Sequence, residues 1–295
     1  MTEQRFTRVV SFGSALVDIM AFVPALPEPG GDVLATEALE VIGGVFNIES
    51  AAARMGLHVV HADSNGDGPH SQTLLAQMKA EGIEFGGHTY AGRDLGFCFT
   101  MVEPNGERTF VTHSGAEAYW SPEHLASIKL GPTDAVYLAG YDMVYPSSRK
   151  VLGDWLLSNP LNGAALFFDP GPLVGELDPE VVAFLRAEAF CITANEREFE
   201  AMPSLPTDRA LFVRRLNAQG CEFWECGERR IVVPTTPVTP VDSTGAGDVH
   251  TGTMIAMLAE GRGWRESLEI ANRAAGICVQ RRGGAQGPTR AELGL

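Results

Sequence analysis

Short runs of apolar residues recur along the chain at 9–12, 59–61, 135–138, 165–168 and 190–192, and each reads as a strand. Helical patterns lie between them, at 47–55, 71–81, 147–157 and 179–187. A strand that is apolar on both faces belongs inside a covered sheet, and strands separated by helices of about three turns form βαβ units. The expected fold is therefore a three-layer α/β/α sandwich around a mostly parallel central sheet. Two further helices, about 247–260 and 264–281, have no strong strand between them and are expected to pack together on one side.

Two segments break the rhythm. Residues 32–40 and 96–113 alternate between apolar and polar positions, and the second carries Asn105-Gly106 between two β-rich arms, a tight-hairpin signal. Such strands do not insert easily into a parallel sheet, so they predict a small separate β-sheet within a single domain spanning 1–295. A sheet of this kind exposes one apolar face unless a ligand or a second subunit covers it, which makes a homodimer the expected assembly.

The run Asp242-Ser243-Thr244-Gly245-Ala246-Gly247-Asp248 stands directly before an apolar helix. It presents the N–H groups of Gly245, Ala246 and Gly247 at the positive end of a helix dipole, where an anionic phosphate binds well. It also sets Asp248 in the first turn, where a carboxylate can take a proton from an attacking hydroxyl. Phosphoryl transfer needs both parts. Gly-Ala-Gly-Asp alone would equally suit a helix that merely satisfies its own first N–H groups; the preceding Asp-Ser-Thr and the order of the other motifs favour the chemical reading.

With those residues, the chain resembles the ribokinase-like (PfkB-type) carbohydrate kinases, and the likeness runs from about residue 8 to residue 288. The resemblance implies ATP as phosphoryl donor, Mg²⁺ with it, K⁺ as a further candidate, and a β lid closing over a sugar. Asp248 becomes the general base, and Gly245, Ala246 and Gly247 the donors to the migrating phosphoryl group. Asp18, six positions after the first strand ends, matches the family's substrate carboxylate, although Leu16 stands where the family often has Asn. Gly43, Gly44 and Asn47 match its second substrate motif, with the glycines shifted by one. Val45 and Phe46 lie where members that bind sugar phosphates often carry Lys, which favours a neutral acceptor. Arg93 and Arg108 are basic, but solvated turn arginines are the simpler account of both.

On the nucleotide side, Asn195 and Glu198 match an Asn-x-x-Glu motif that organises Mg²⁺ through water. Thr244 in the signature, Asn272, and Gly284 in the glycine loop at 283–287 match positions around the nucleotide. Asp242, with that loop, is the candidate K⁺ ligand. The clearest departure is at 215–220, where Arg215 and Asn217 replace the family's Thr and Gly and only Gly220 is retained. Arg215 either meets a phosphate directly or marks a rebuilt loop.

Composition narrows the field further. A net charge of −15 leaves no basic face for nucleic acid or an anionic membrane. The five cysteines are scattered and suggest reduced thiols rather than zinc or disulfides. His58, His61 and Asp63 lie along one strand without further ligands, so a metal there is disfavoured. With no apolar leader and no long apolar stretch, a cytoplasmic protein is expected. No Gly-x-Gly-x-x-Gly follows the first strand, which disfavours a dehydrogenase.

The function expected is ATP-dependent phosphorylation of a hydroxyl on a neutral sugar or related small molecule. Two alternatives stay open: a nucleoside kinase in which Phe46, Phe97 and Phe99 stack a base, and a non-catalytic sugar-binding or sensor protein whose nucleotide loop has decayed.

Overall fold

The computed structural model describes residues 6–104, 107–202 and 211–295. The first half of the chain runs β1 (Arg8–Phe12), β2 (Ala15–Phe22), β3 (Glu37–Gly44), α1 (Phe46–Arg54), β4 (His58–His61), β5 (Asn65–Gly66), α2 (Pro69–Glu81), β6 (Glu84–Phe85), β7 (Thr89–Tyr90), β8 (Phe97–Val102) and β9 (Arg108–His113). It continues with α3 (Pro122–Ser127), β10 (Asp134–Ala139), α4 (Arg149–Leu157), β11 (Ala165–Asp169), α5 (Pro179–Glu188), β12 (Cys191–Asn195), α6 (Glu196–Ala201) and β13 (Leu211–Arg215). The last elements are β14 (Cys221–Glu225), β15 (Glu228–Val233), α7 (Ala246–Ala259), α8 (Trp264–Cys278) and α9 (Arg290–Leu293).

Nine strands form the central sheet, in the order β15-β14-β13-β12-β11-β10-β1-β4-β6. From β6 to β13 all neighbours are parallel. At one end of the sheet β14 and β15 run antiparallel, and neither was anticipated from the sequence. Their connections are short enough to fold straight back: Asn217 and Gly220 both adopt positive φ in the first turn, and Cys226 and Gly227 do so in the second.

Strand periodicity divides the core. Val9, Ala135, Tyr137, Phe167 and Val213 face one helical layer, while Val10, Phe12, Leu138, Phe168 and Phe212 face the other. The two helices without an intervening strand, α7 and α8, pack together as expected. Residues 249–257 of α7 are all buried, because the helix lies between α1 and α8.

A second sheet of four strands, β3-β2-β8-β9, forms the lid. It differs from the expected lid in two ways. Residues 15–22, which follow the first strand and were given no place in the lid, form β2 at its centre. The earlier arm is Glu37–Gly44 rather than 32–40, since Val41 and Ile42 pair with Asp18 and Val17. The expected Asn105-Gly106 turn lies outside the described residues. At the root of the lid, the buried Glu117 accepts the N–H groups of Gly96 and Gly115, each at 2.7 Å, and so ties the start of β8 to the end of β9.

Candidate active site

The parallel strands end together along one edge, where open α/β sheets bind ligands. Asp169 ends β11, Asn195 ends β12 and Arg215 ends β13. The lid stands over this edge and encloses a cavity of about 460 Å³ with it. Asp18, Gly44, Glu198, Arg215 and Asp248, all singled out in the sequence, line that cavity.

Gly245 opens α7 with φ +71°, a left-handed conformation that suits glycine. It places Asp248 in the first turn, facing Asn47, whose Nδ2 donates to Asp248 Oδ2 at 3.0 Å. Burial pushes the Asp248 carboxyl up to about 6; the Asn47 hydrogen bond opposes this, the charge of Asp169 adds to it, and Arg215 counters it. The other end of the Asn47 amide accepts the N–H of Ala285 at 2.6 Å. Arg54 in turn holds the carbonyls of Ala285 and Gly287 at 2.8 and 2.5 Å. Helix α1 is capped by the backbone of Val45, so Asn47 is free of capping duty.

Asp18 lies in β2 with its carboxyl also pushed up to about 6, by burial first and then by the charge of Asp248. Gly43 on the adjoining strand is what makes room for it: a Cβ there would lie 1.9 Å from Asp18 Oδ2. At Gly44, with φ +64°, a Cβ would lie 2.2 Å from the carbonyl oxygen of Ser14.

Arg215 is the one basic side chain among the described residues lining the cavity. Its Nη1 donates to Asp169 Oδ2 at 3.0 Å, Thr193 Oγ1 at 2.6 Å and Thr251 Oγ1 at 3.0 Å, while Nη2 lies 3.5 Å from Glu198 Oε2. Asn195 and Glu198 form a capping box on α6, each side chain accepting the other's backbone N–H. Burial, and then the charge of Asp169, raises the Glu198 carboxyl above its ordinary range. Glu198 and Asp169 offer only oxygen donors, a set that fits a Mg²⁺ ion shared with phosphate oxygens.

Other expected residues lie back from the cavity. Asp242 accepts the N–H and hydroxyl of Thr244 at 2.9 and 2.7 Å, the N–H of Gly283 at 3.0 Å, and Arg108 Nη2 at 2.8 Å. Both oxygens of the Asp242 carboxylate are thus engaged by donors from within the chain. Gly284 packs on Asn47, and Asn272 donates to the carbonyl of Val233 at 3.0 Å. Gly220 sits in the β13–β14 turn, where a Cβ would lie 2.1 Å from the same carbonyl oxygen. Of the aromatic residues expected to stack a base, Phe46 is in the core, and Phe97 and Phe99 point away from the cavity, because alternation along β8 turns Cys98 into it.

The sequence reading missed Asp142 and Asp169, both on the cavity wall. Asp169 closes an apolar strand, the placement that drew notice to Asp18, so the signal was present. Asp142 follows β10 and accepts both the N–H and the hydroxyl of Ser14, at 3.0 and 2.6 Å; nothing local marks that contact.

Comparison with known proteins bears on this site. A pfkB family carbohydrate kinase model matches residues 7–290. The chain belongs to the PfkB family of carbohydrate kinases. An uncharacterized sugar kinase of Escherichia coli (strain K12), YegV, is 31% identical over 301 residues, covering 97% of this chain and 92% of the relative. Ribokinase of Bacillus subtilis (strain 168) is 27% identical over 300 residues, with 95% and 96% covered. A solved ribokinase from Cryptococcus neoformans, in complex with ADP, superposes with a TM-score of 0.81 at 21% identity over 98% of this chain and 99% of that one. The family makes it a kinase of the sugar or nucleoside class.

Proposed function

We propose that this protein transfers the γ-phosphoryl group of ATP to a hydroxyl of a neutral sugar or related polyol. Asp18 holds acceptor hydroxyls under the lid. Asp248 takes the proton of the reacting hydroxyl. Its raised carboxyl suits that role, because it is mostly ionised at neutral pH yet has more proton affinity than an ordinary aspartate. Asn47 fixes that carboxylate in place. The N–H groups of Gly245, Ala246 and Gly247 receive the charge of the migrating group. Glu198 and Asp169 are the residues that would hold Mg²⁺, which supplies charge neutralisation at the phosphates when bound.

The observation that carries this reading is the placement of Asp248 at the start of α7, on the wall of a cavity that Asp18 also lines. The neutrality of the acceptor rests on the same wall. Among the described residues, Asp18, Asp142, Asp169, Glu198 and Asp248 share that wall with a single guanidinium, a field that repels a sugar phosphate or sugar acid.

A nucleoside acceptor is the second reading, favoured by Phe110 and Tyr141, which line the cavity and offer aromatic faces to a base. The deciding experiment is ADP release with Mg²⁺-ATP across pentoses, hexoses, sugar acids, sugar phosphates and nucleosides. Turnover confined to neutral sugars supports the first reading, and turnover confined to nucleosides the second. Preference for sugar phosphates would overturn the electrostatic argument.

A further inference from the structure

Among the described residues, one cation stands with five carboxylates on the cavity wall, and it is placed against the 245–247 turn. A Cβ built on Gly247 would lie 3.4 Å from Arg215 Nε and 3.5 Å from its Cζ. The side chain is held from behind: Nη1 is shared among Asp169, Thr193 and Thr251, three acceptors on three different elements. Only the longer 3.5 Å approach of Glu198 engages Nη2. The Arg215 side chain is 13% exposed and lines the cavity, next to the Cβ position of Gly247.

A purely structural counter-ion would explain the Nη1 contacts. It would not explain why the cation is set at the cavity wall, next to a glycine whose missing side chain leaves the space open. We propose that Arg215 is a catalytic residue: its guanidinium touches the γ-phosphoryl group of ATP and stabilises the negative charge that group carries during transfer. This rests on the kinase reading above and adds a fixed positive charge to the neutral N–H donors of the turn.

In the step concerned, the acceptor O–H gives its proton to Asp248. The acceptor oxygen then forms a bond to the γ-phosphorus, and the bond from that phosphorus to the β,γ-bridging oxygen breaks. The electron pair of the broken bond leaves with ADP. Arg215 makes no covalent bond and keeps its protons throughout, since an arginine stays charged at any working pH. Its planar fork can meet phosphate oxygens while Nη1 remains anchored.

The test compares wild type with Arg215→Thr and Arg215→Lys in two measurements. Calorimetry of ADP and of a non-hydrolysable ATP analogue, each with Mg²⁺, isolates the γ-phosphate. Both variants should bind ADP nearly as wild type does, while Arg215→Thr loses about tenfold or more in affinity for the analogue, as expected for a charge-assisted contact. Single-turnover kinetics should show transfer slowed by about 10²- to 10³-fold in Arg215→Thr, with acceptor KM nearly unchanged and partial recovery in Arg215→Lys. Equal losses for ADP and the analogue, or an unchanged transfer rate, would overturn the proposal in favour of a structural ion pair. If Arg215→Thr does not fold, Arg215→Lys keeps a cation among the carboxylates and carries the same comparison. Absence of turnover in wild type on every acceptor would instead count against the kinase reading, and the binding comparison would still decide whether Arg215 meets the γ-phosphate.

Discussion

Asn47 and Asp248, 201 residues apart in the chain, are joined by a 3.0 Å hydrogen bond from the Asn47 amide to the carboxylate. The opposite end of that amide is fixed by the Ala285 N–H, so its orientation is set from the far side. Donation to a carboxylate favours the charged form. Removing it in Asn47→Ala should raise the Asp248 carboxyl further and move the acid limb of the kcat/KM–pH profile upward by about one unit. A limb that stays put, with activity retained, would mean that Asp248 is not the titrating base.

The same carboxylate has a cost in stability. Its folded value of about 6 lies above the ordinary aspartate value of 3.8, so the folded protein binds this proton more tightly than the unfolded chain does. The group therefore destabilises the fold increasingly as pH rises from about 4 to about 6, and fully above that. Asp248→Asn should be the more stable protein at pH 8, by up to about 3 kcal/mol, with the difference vanishing toward pH 4. It should also lose at least about 10²-fold in kcat while still binding ATP. Chemical denaturation at several pH values checks the first claim, and near-normal turnover would refute the base assignment.

Gly43 and Asp18 offer a test of acceptor binding that leaves the phosphate turn alone. A methyl at position 43 would lie 1.9 Å from Asp18 Oδ2, so the carboxylate must swing away in Gly43→Ala. Acceptor KM is expected to rise about tenfold or more, which corresponds to losing roughly one good hydrogen bond to a charged group, while the KM for ATP holds. An ATP effect equal to the acceptor effect would place Asp18 outside the acceptor site.

Arg108 reaches from the lid to Asp242, and its positive charge sits 2.8 Å from the carboxylate. Burial raises this carboxyl, but the hydrogen bonds from Gly283 and Thr244, with Arg108 alongside, hold it below the ordinary range. A monovalent cation has little left to neutralise there, so turnover should be the same in K⁺, Na⁺ and choline salts at equal ionic strength. Selective loss of turnover when choline replaces K⁺ would show that the ion pair yields to the metal.

How much of this was legible beforehand follows from how far each contact reaches. The central strands announced themselves because β1, β10 and β11 are covered on both faces, and continuous apolar runs record that directly. The turn at Gly245 and the candidate base behind it were equally plain, since a glycine turn, an acid and an apolar helix are neighbours in the chain. Strand β2 was not legible: it carries Asp18 at its centre, and a polar residue inside a strand reads as a turn until a cavity accounts for it. Strands β14 and β15 were hidden by their short, charged sequences at the sheet edge. Sequence alone, then, determined the layers of the sandwich, the family motif and the candidate base, because local pattern encodes burial and capping. Only the tertiary structure decided that Asp169, 46 residues from Arg215, anchors that cation, and that Asn47 aims Asp248. Those pairings follow from sheet register and from helix α1 packing on α7, and no short stretch of chain carries that information.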